Sequence, residues 1–141
     1  MIKRGGAGLK FDNDFFNTEV REGFEISSMM KRAWAAQMEV FQVVSDICNR
    51  NGIRYFADFG TLLGAVRHKG MIPWDDDIDI SLMRDEYNEL IRILPGELPY
   101  GFVVAGMYAD CERLQNAAFV PQLRVCLLYT SPSPRDGLLS R

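Results

Sequence analysis

From Trp74 to Leu82 the chain reads WDDDIDISL, and four of the five residues from Asp75 to Asp79 are aspartates. Ile78, Ile80 and Leu82 alternate with Asp77 and Asp79, the period of a half-buried strand. Asp77 and Asp79 are therefore expected on one face and the aliphatic side chains on the other, with Asp75 continuing the acidic face if the extended backbone reaches that far. Two carboxylates about 6 Å apart repel by roughly 3 kcal/mol at an effective dielectric near 20. A strand anchored by buried isoleucines cannot easily splay them apart, so water must screen the charge or a cation must neutralise it. The bland alternative is a solvated acidic turn. A calcium loop counted from Asp75 puts Asp77, Asp79 and Glu86 at ligand positions, but Ile80 stands where that turn needs glycine. The remaining chemistry is a site for phosphoryl transfer, in which carboxylates clamp Mg2+ or Mn2+ against substrate oxygens.

One helix upstream lies FGTLLGAVR, from Phe59 to Arg67. A strand ending at Phe59, Gly60 allowing close approach and Thr61 opening a helix would present free N–H groups and partial positive charge to a phosphate. Glycine before threonine is also a common helix start, so this signal is weak alone. If the helix folds the second strand back antiparallel to the first, the acidic residues and the glycine turn share one edge. Arg67, His68 and Lys69 close that helix. Cations are favoured at a helix C-terminus for electrostatic reasons alone, and Arg67 is also a candidate for a substrate phosphate. His68 has no histidine or cysteine partner at ligand spacing, which argues against zinc. Trp74 either packs the loop after Pro73 or stacks on a ligand.

The rest of the chain shows where helices and strands fall around these residues. Residues 1–26 are polar and weakly periodic, an irregular arm. A long helix is predicted from Ser28, capped by Ser27 or Ser28 and stopped by Asn51-Gly52. Met30, Trp34, Met38, Phe41, Val44 and Cys48 form its core stripe. Strands are predicted over Ile53–Gly60 and DIDISL. A second amphipathic helix, MRDEYNELIRIL, closes at Pro95-Gly96, and further strands fall in YGFVVAGMY and FVPQLRVC. Helices alternating with strands imply an α/β or α+β domain around one sheet, here residues 27–126. The ending LLYTSPSPRDGLLSR shifts abruptly to serine, proline and arginine. Residues 127–141 read as a disordered tail or as non-native read-through sequence, with the true domain continuing past the break.

The bulk numbers narrow the class. A chain of 141 residues is one domain or part of one, large enough to bury roughly two-thirds of its unfolded surface. A net charge of −3 argues against a protein that coats nucleic acid or lies on a membrane. No apolar run approaches the ~20 residues of a membrane span. No signal peptide is recognisable, and the three widely spaced cysteines, Cys48, Cys111 and Cys126, read as reduced packing residues. A cytoplasmic location is expected.

The combined stretch YFADFGTLLGAVRHKGMIPWDDDIDISL resembles the signature of the LicD family of phosphocholine transferases, which includes the fukutin-related ribitol-phosphate transferases. The preceding MMKRAWAAQMEVFQVVSDICNRNGIR is also similar, so the resemblance spans most of residues 18–126. It implies a nucleotidyltransferase-like mixed sheet flanked by helices, present here as an N-terminal portion. The implied reaction moves a phosphorylated alcohol from a CDP-activated donor, CDP-choline-like, to a hydroxyl of a cell-surface glycan or polymer. By the resemblance, Asp77 and Asp79 match the paired carboxylates for Mg2+ or Mn2+, Asp75 an acidic position before them, and Gly60 and Thr61 the turn after the first strand. The third acidic group that such sites take from a later strand cannot be placed in this sequence. The rival readings are transfer of the nucleotide itself, or a non-catalytic metal-binding module or inert fragment.

Overall fold

The computed structural model describes residues 9–106 and 122–127. Its backbone is a helix of 23 residues, α1 (Ser28–Arg50). Ser27 caps it, its hydroxyl accepting from the Met30 N–H at 3.2 Å. Asn51 ends it and Gly52, at φ +66°, takes the left-handed conformation that glycine tolerates best. Val44, Ile47 and Cys48 of α1 pack with Ile53, with Leu90 and Leu94 of α3 (Arg84–Glu97) and with Val104 of β5 (Phe102–Ala105). Leu90 and Leu94 stand one helical turn apart, so one stripe of α3 meets one stripe of α1. Of the expected α1 stripe, Trp34, Val44 and Cys48 are buried, whereas Met30, Met38 and Phe41 are half-buried. Burial pushes the Cys48 thiol up, as suits a packing residue; Cys111 lies outside the described residues.

The strands form three antiparallel pairs. β1 (Glu19–Arg21) pairs with β2 (Phe24–Ile26), β3 (Phe56–Ala57) with β4 (Ile80–Ser81), and β5 with β6 (Arg124–Leu127). The expected mixture of helices and strands is present, an α/β arrangement in the broad sense. In place of one mixed sheet, the described residues carry three two-stranded ladders. Ile80, Val104 and Val125 from three of these strands still face the same α1–α3 core.

Several boundaries differ from expectation. The part of the arm at Glu19–Ile26 is a hairpin, turned by Glu22 and Gly23 at φ +50° and +77°, the paired left-handed residues of a tight two-residue turn. The helix α3 runs through Pro95 to Glu97. Its last turn is held from outside: Arg50 Nη2 and Asn51 Nδ2 donate to the Glu97 carboxylate at 2.8 and 2.9 Å. Only Leu127 of the expected tail falls within the described residues, and it pairs with Phe102.

The hairpin is fastened to α1 by charge. Lys31 is 3% exposed and its Nζ lies 3.1 Å from Glu19 Oε2, while Arg21 also pairs with Glu19. The hydrogen bond from Lys31 is the main reason that Glu19 sits below the usual carboxylate range. A depressed carboxyl contributes stability above its unfolded value, and this is lost as pH falls through the folded value. Melting temperature should therefore decline on acidification below about pH 4.5. Glu19→Gln should lower it by several degrees at neutral pH, because Lys31 is left buried without its counter-charge, and should flatten the acid limb. Melting curves across pH for the two proteins test this.

Candidate functional site

Asp58 organises the start of the site. Its backbone lies at the end of β3, where its N–H donates to the Asp79 carbonyl at 3.2 Å. Its side chain caps α2 (Phe59–Arg67), accepting from the Phe59 N–H at 2.8 Å and from the Ser81 hydroxyl. These bonds hold the Asp58 carboxyl below its ordinary range, the Ser81 bond first. The helix thus opens at Phe59, two residues before Thr61, and the strand expected to reach Gly60 stops at Ala57. Asp58 keeps one backbone bond to the returning segment while its extended backbone caps α2, and the chain turns into the helix at the next residue.

The antiparallel β3–β4 register, Phe56 with Ser81 and Ala57 with Ile80, folds the acidic segment back onto this turn. Thr61 Oγ1 accepts from the Asp79 N–H at 2.8 Å. Gly60 faces Asp75, and a Cβ at Gly60 would overlap Asp75 Oδ2. Trp34 Nε1 donates to the Asp75 carbonyl at 2.7 Å from α1. Gly60 and Thr61 are thus both engaged in holding the acidic segment at the first turn of α2, where partial positive charge favours an anion.

Asp75, Asp76 and Asp77 each offer a carboxylate oxygen within 4.8 Å of the others. Asp77 and Asp79 precede the two-residue strand β4 and lie outside its ladder pairs. Both line a cavity of about 870 Å³, together with Phe59, Phe41, Tyr87, Arg84 and Arg124. Asp77 is common to both groupings. Asp77 is exposed, and its carboxyl is pushed above the usual range first by the partial loss of water around it, then by the charges of Asp79, Asp75 and Asp76. An all-carboxylate set of this kind offers the hard oxygen donors that suit Mg2+ or Mn2+.

Arg67 stands at the other end of α2, about 10 Å along the axis from Gly60. Its Nε donates to His68 Nδ1 at 3.3 Å, so the structure does not bring it into the acidic group. His68 is nearly enclosed, with Nε2 3.2 Å from Glu22 Oε2 and its ring edge-on to Trp74. Trp74 also meets Phe24 of the hairpin edge-on. Sequence reasoning left Asp58 and Trp34 out of the site. An aspartate one residue before the helix is a legible cap signal, whereas the contact of Trp34 with a residue 41 positions away leaves no local trace.

Comparison with known proteins gives the family. Residues 52–120 match the nucleotidyltransferase domain described as LicD/FKTN/FKRP. The uncharacterized protein RP689 of Rickettsia prowazekii is 41% identical over 105 residues, covering 70% of this chain and 40% of that protein. The lipopolysaccharide cholinephosphotransferase LicD of Haemophilus influenzae is 53% identical over 47 residues, 33% of this chain and 18% of that protein. Ribitol 5-phosphate transferase FKRP of Homo sapiens is 37% identical over 51 residues, 36% of this chain and 10% of that protein. The chain thus spans well under two-thirds of the length of these relatives. No solved structure matches it significantly. The matched segment contains the Asp58 cap, the Gly60 turn and all four aspartates of the acidic loop; over these residues the chain matches the nucleotidyltransferase domain of the LicD family.

Proposed function

We propose that this chain carries the donor-side site of a transferase that moves a phosphorylated alcohol from a CDP-activated donor to a hydroxyl of a glycan or polymer. One observation carries the reading. Asp77 and Asp79 line one cavity, and their neighbour Asp75 faces Gly60 while the Asp79 N–H bonds Thr61, in a family whose named members transfer phosphocholine and ribitol phosphate. Asp77 and Asp79 would hold Mg2+ or Mn2+ on the cavity side, with Asp75 and Asp76 completing the negative field. When bound, the cation supplies charge neutralisation for the donor diphosphate.

The acceptor oxygen attacks the phosphorus that bears the alcohol, the bond from that phosphorus to the CMP oxygen breaks, and CMP leaves. Asp75, packed against Gly60, would take the hydroxyl proton or add a ligand. The first-turn N–H groups of α2 at Gly60 and Thr61 precede the first helical bond, which runs from the Leu62 N–H to the Asp58 carbonyl. They are available to oxygens on which charge grows.

Calorimetry with Mn2+ and CDP-choline tests the proposal. Nucleotide binding that requires Mn2+, and that Asp77→Asn removes, supports it. Metal binding without nucleotide binding would indicate a non-catalytic module. Release of pyrophosphate rather than CMP, from a CTP-containing assay, would assign transfer of the nucleotide instead.

A further inference from the structure

We propose that Trp34 is a positioning residue for the acidic loop, its indole N–H holding the Asp75 carbonyl and so fixing the Asp75 and Asp76 carboxylates beside those that receive the cation. This rests on the metal reading of the site given above. Trp34 is 2% exposed and belongs to the longest helix of the described chain. A buried indole N–H needs an acceptor, and Trp34 Nε1 finds it at 2.7 Å in Asp75.

Asp75 is held at three further points. Its N–H donates to the Ile72 carbonyl at 3.0 Å, its Oδ1 accepts from the Asp76 N–H at 3.1 Å, and its Oδ2 rests on Gly60. The carbonyl held by Trp34 and the N–H that reaches Oδ1 belong to the same peptide unit, between Asp75 and Asp76. Because that unit is planar, freeing one end frees the other. Loss of the indole bond would let the unit rotate, moving Asp76 and releasing the Asp75 carboxylate from its fixed orientation. Four neighbouring carboxylates repel one another, so a released loop would spread and meet a cation less well. The Trp34 ring is held separately, with the Arg21 guanidinium 5.9 Å from its centre. Its packing and its hydrogen bond can therefore be tested apart.

Trp34→Phe keeps an aromatic ring and removes the N–H. Titration of the full chain with Mn2+, followed by electron paramagnetic resonance, should show about fivefold weaker binding in the variant, with the circular dichroism spectrum unchanged. Equal affinity overturns the inference while leaving the metal reading intact. No Mn2+ binding by the wild type overturns both. Should the variant fail to fold, hydrogen exchange at the Trp34 indole of the wild type decides. Mg2+ should slow it by roughly tenfold, and an unchanged rate, or one as fast as that of the exposed Trp74, overturns the proposal.

Discussion

Asp77→Asn should cost on the order of a thousandfold in transfer and yet raise the melting temperature of the metal-free protein. The substitution keeps the shape of the side chain and removes one charge from a set of four. Transfer is best measured in a full-length relative changed at the equivalent aspartate, since the chain spans only part of its relatives. Stability can be measured on this chain. The sign follows from the direction of the shift. Partial loss of water and the neighbouring Asp79, Asp75 and Asp76 raise the Asp77 carboxyl, so the folded protein binds its proton more tightly than the unfolded chain. The ionised form therefore costs stability at neutral pH, and that cost disappears as pH falls through the raised value. The variant should melt slightly higher at pH 7, by about a degree or two, because water screens the exposed Asp77 from its neighbours, and the gap should close on acidification. Added Mg2+ should reverse the order, stabilising the wild type by preferential binding to the folded state and leaving the variant unmoved. Full transfer by the relative, or a variant that melts lower than wild type at pH 7, would remove Asp77 from the centre of the site. Such a trade between local stability and function is expected where like charges are gathered for a ligand.

The parts of this site that sequence reveals are those with local causes. Ser27 and Gly52 bound α1 because a capping hydroxyl and a left-handed glycine act within a turn of where they stand. The return of the acidic segment beside Gly60 follows from one short helix between two strand-forming stretches, and the ladder has that sense. Strand length is less legible. The alternation in DIDISL extends beyond the two residues that pair, because the chain opposite Asp77 has already entered α2 and offers no strand partner. Lys31 lies outside the apolar stripe read for α1, and it is buried because the hairpin brings Glu19 over it. Arg67 follows the ordinary electrostatics of a helix end and serves His68. The tie from Trp34 to Asp75 depends on two elements meeting in three dimensions, and nothing in the composition of either announces it.

Gly64→Ala should unfold the site by another route. Gly64 is the single buried residue of α2, whose Phe59, Leu62, Leu63 and Val66 are all exposed. The helix therefore docks through the face that carries this glycine. A methyl group there would stand 2.5 Å from the Gly70 carbonyl oxygen and 3.3 Å from both the N and Cγ1 of Ile72. Backbone atoms cannot rotate aside as a side chain can. The same carbonyl-rich turn is bound to the helix by the His68 and Gly70 N–H groups, which both donate to the Gly64 carbonyl, at 2.8 and 3.3 Å. Alanine favours a helix by about 1 kcal/mol over glycine, but overpacking at a fixed backbone contact costs about 1–3 kcal/mol, occasionally more. The contact lies well inside van der Waals range, so the clash should win, lowering the melting temperature by about 5–15 °C. Because Ile72 and Pro73 are buried immediately before the acidic loop, moving this turn should also displace Asp75 and weaken Mn2+ binding. Gly70→Ala is the control: nothing lies within 4 Å of a Cβ at that position, and it should melt with the wild type. A Gly64→Ala protein that also melts with the wild type would mean that α2 does not dock through this contact, and the placement of the Gly60 turn beside the aspartates would lose its mechanical basis.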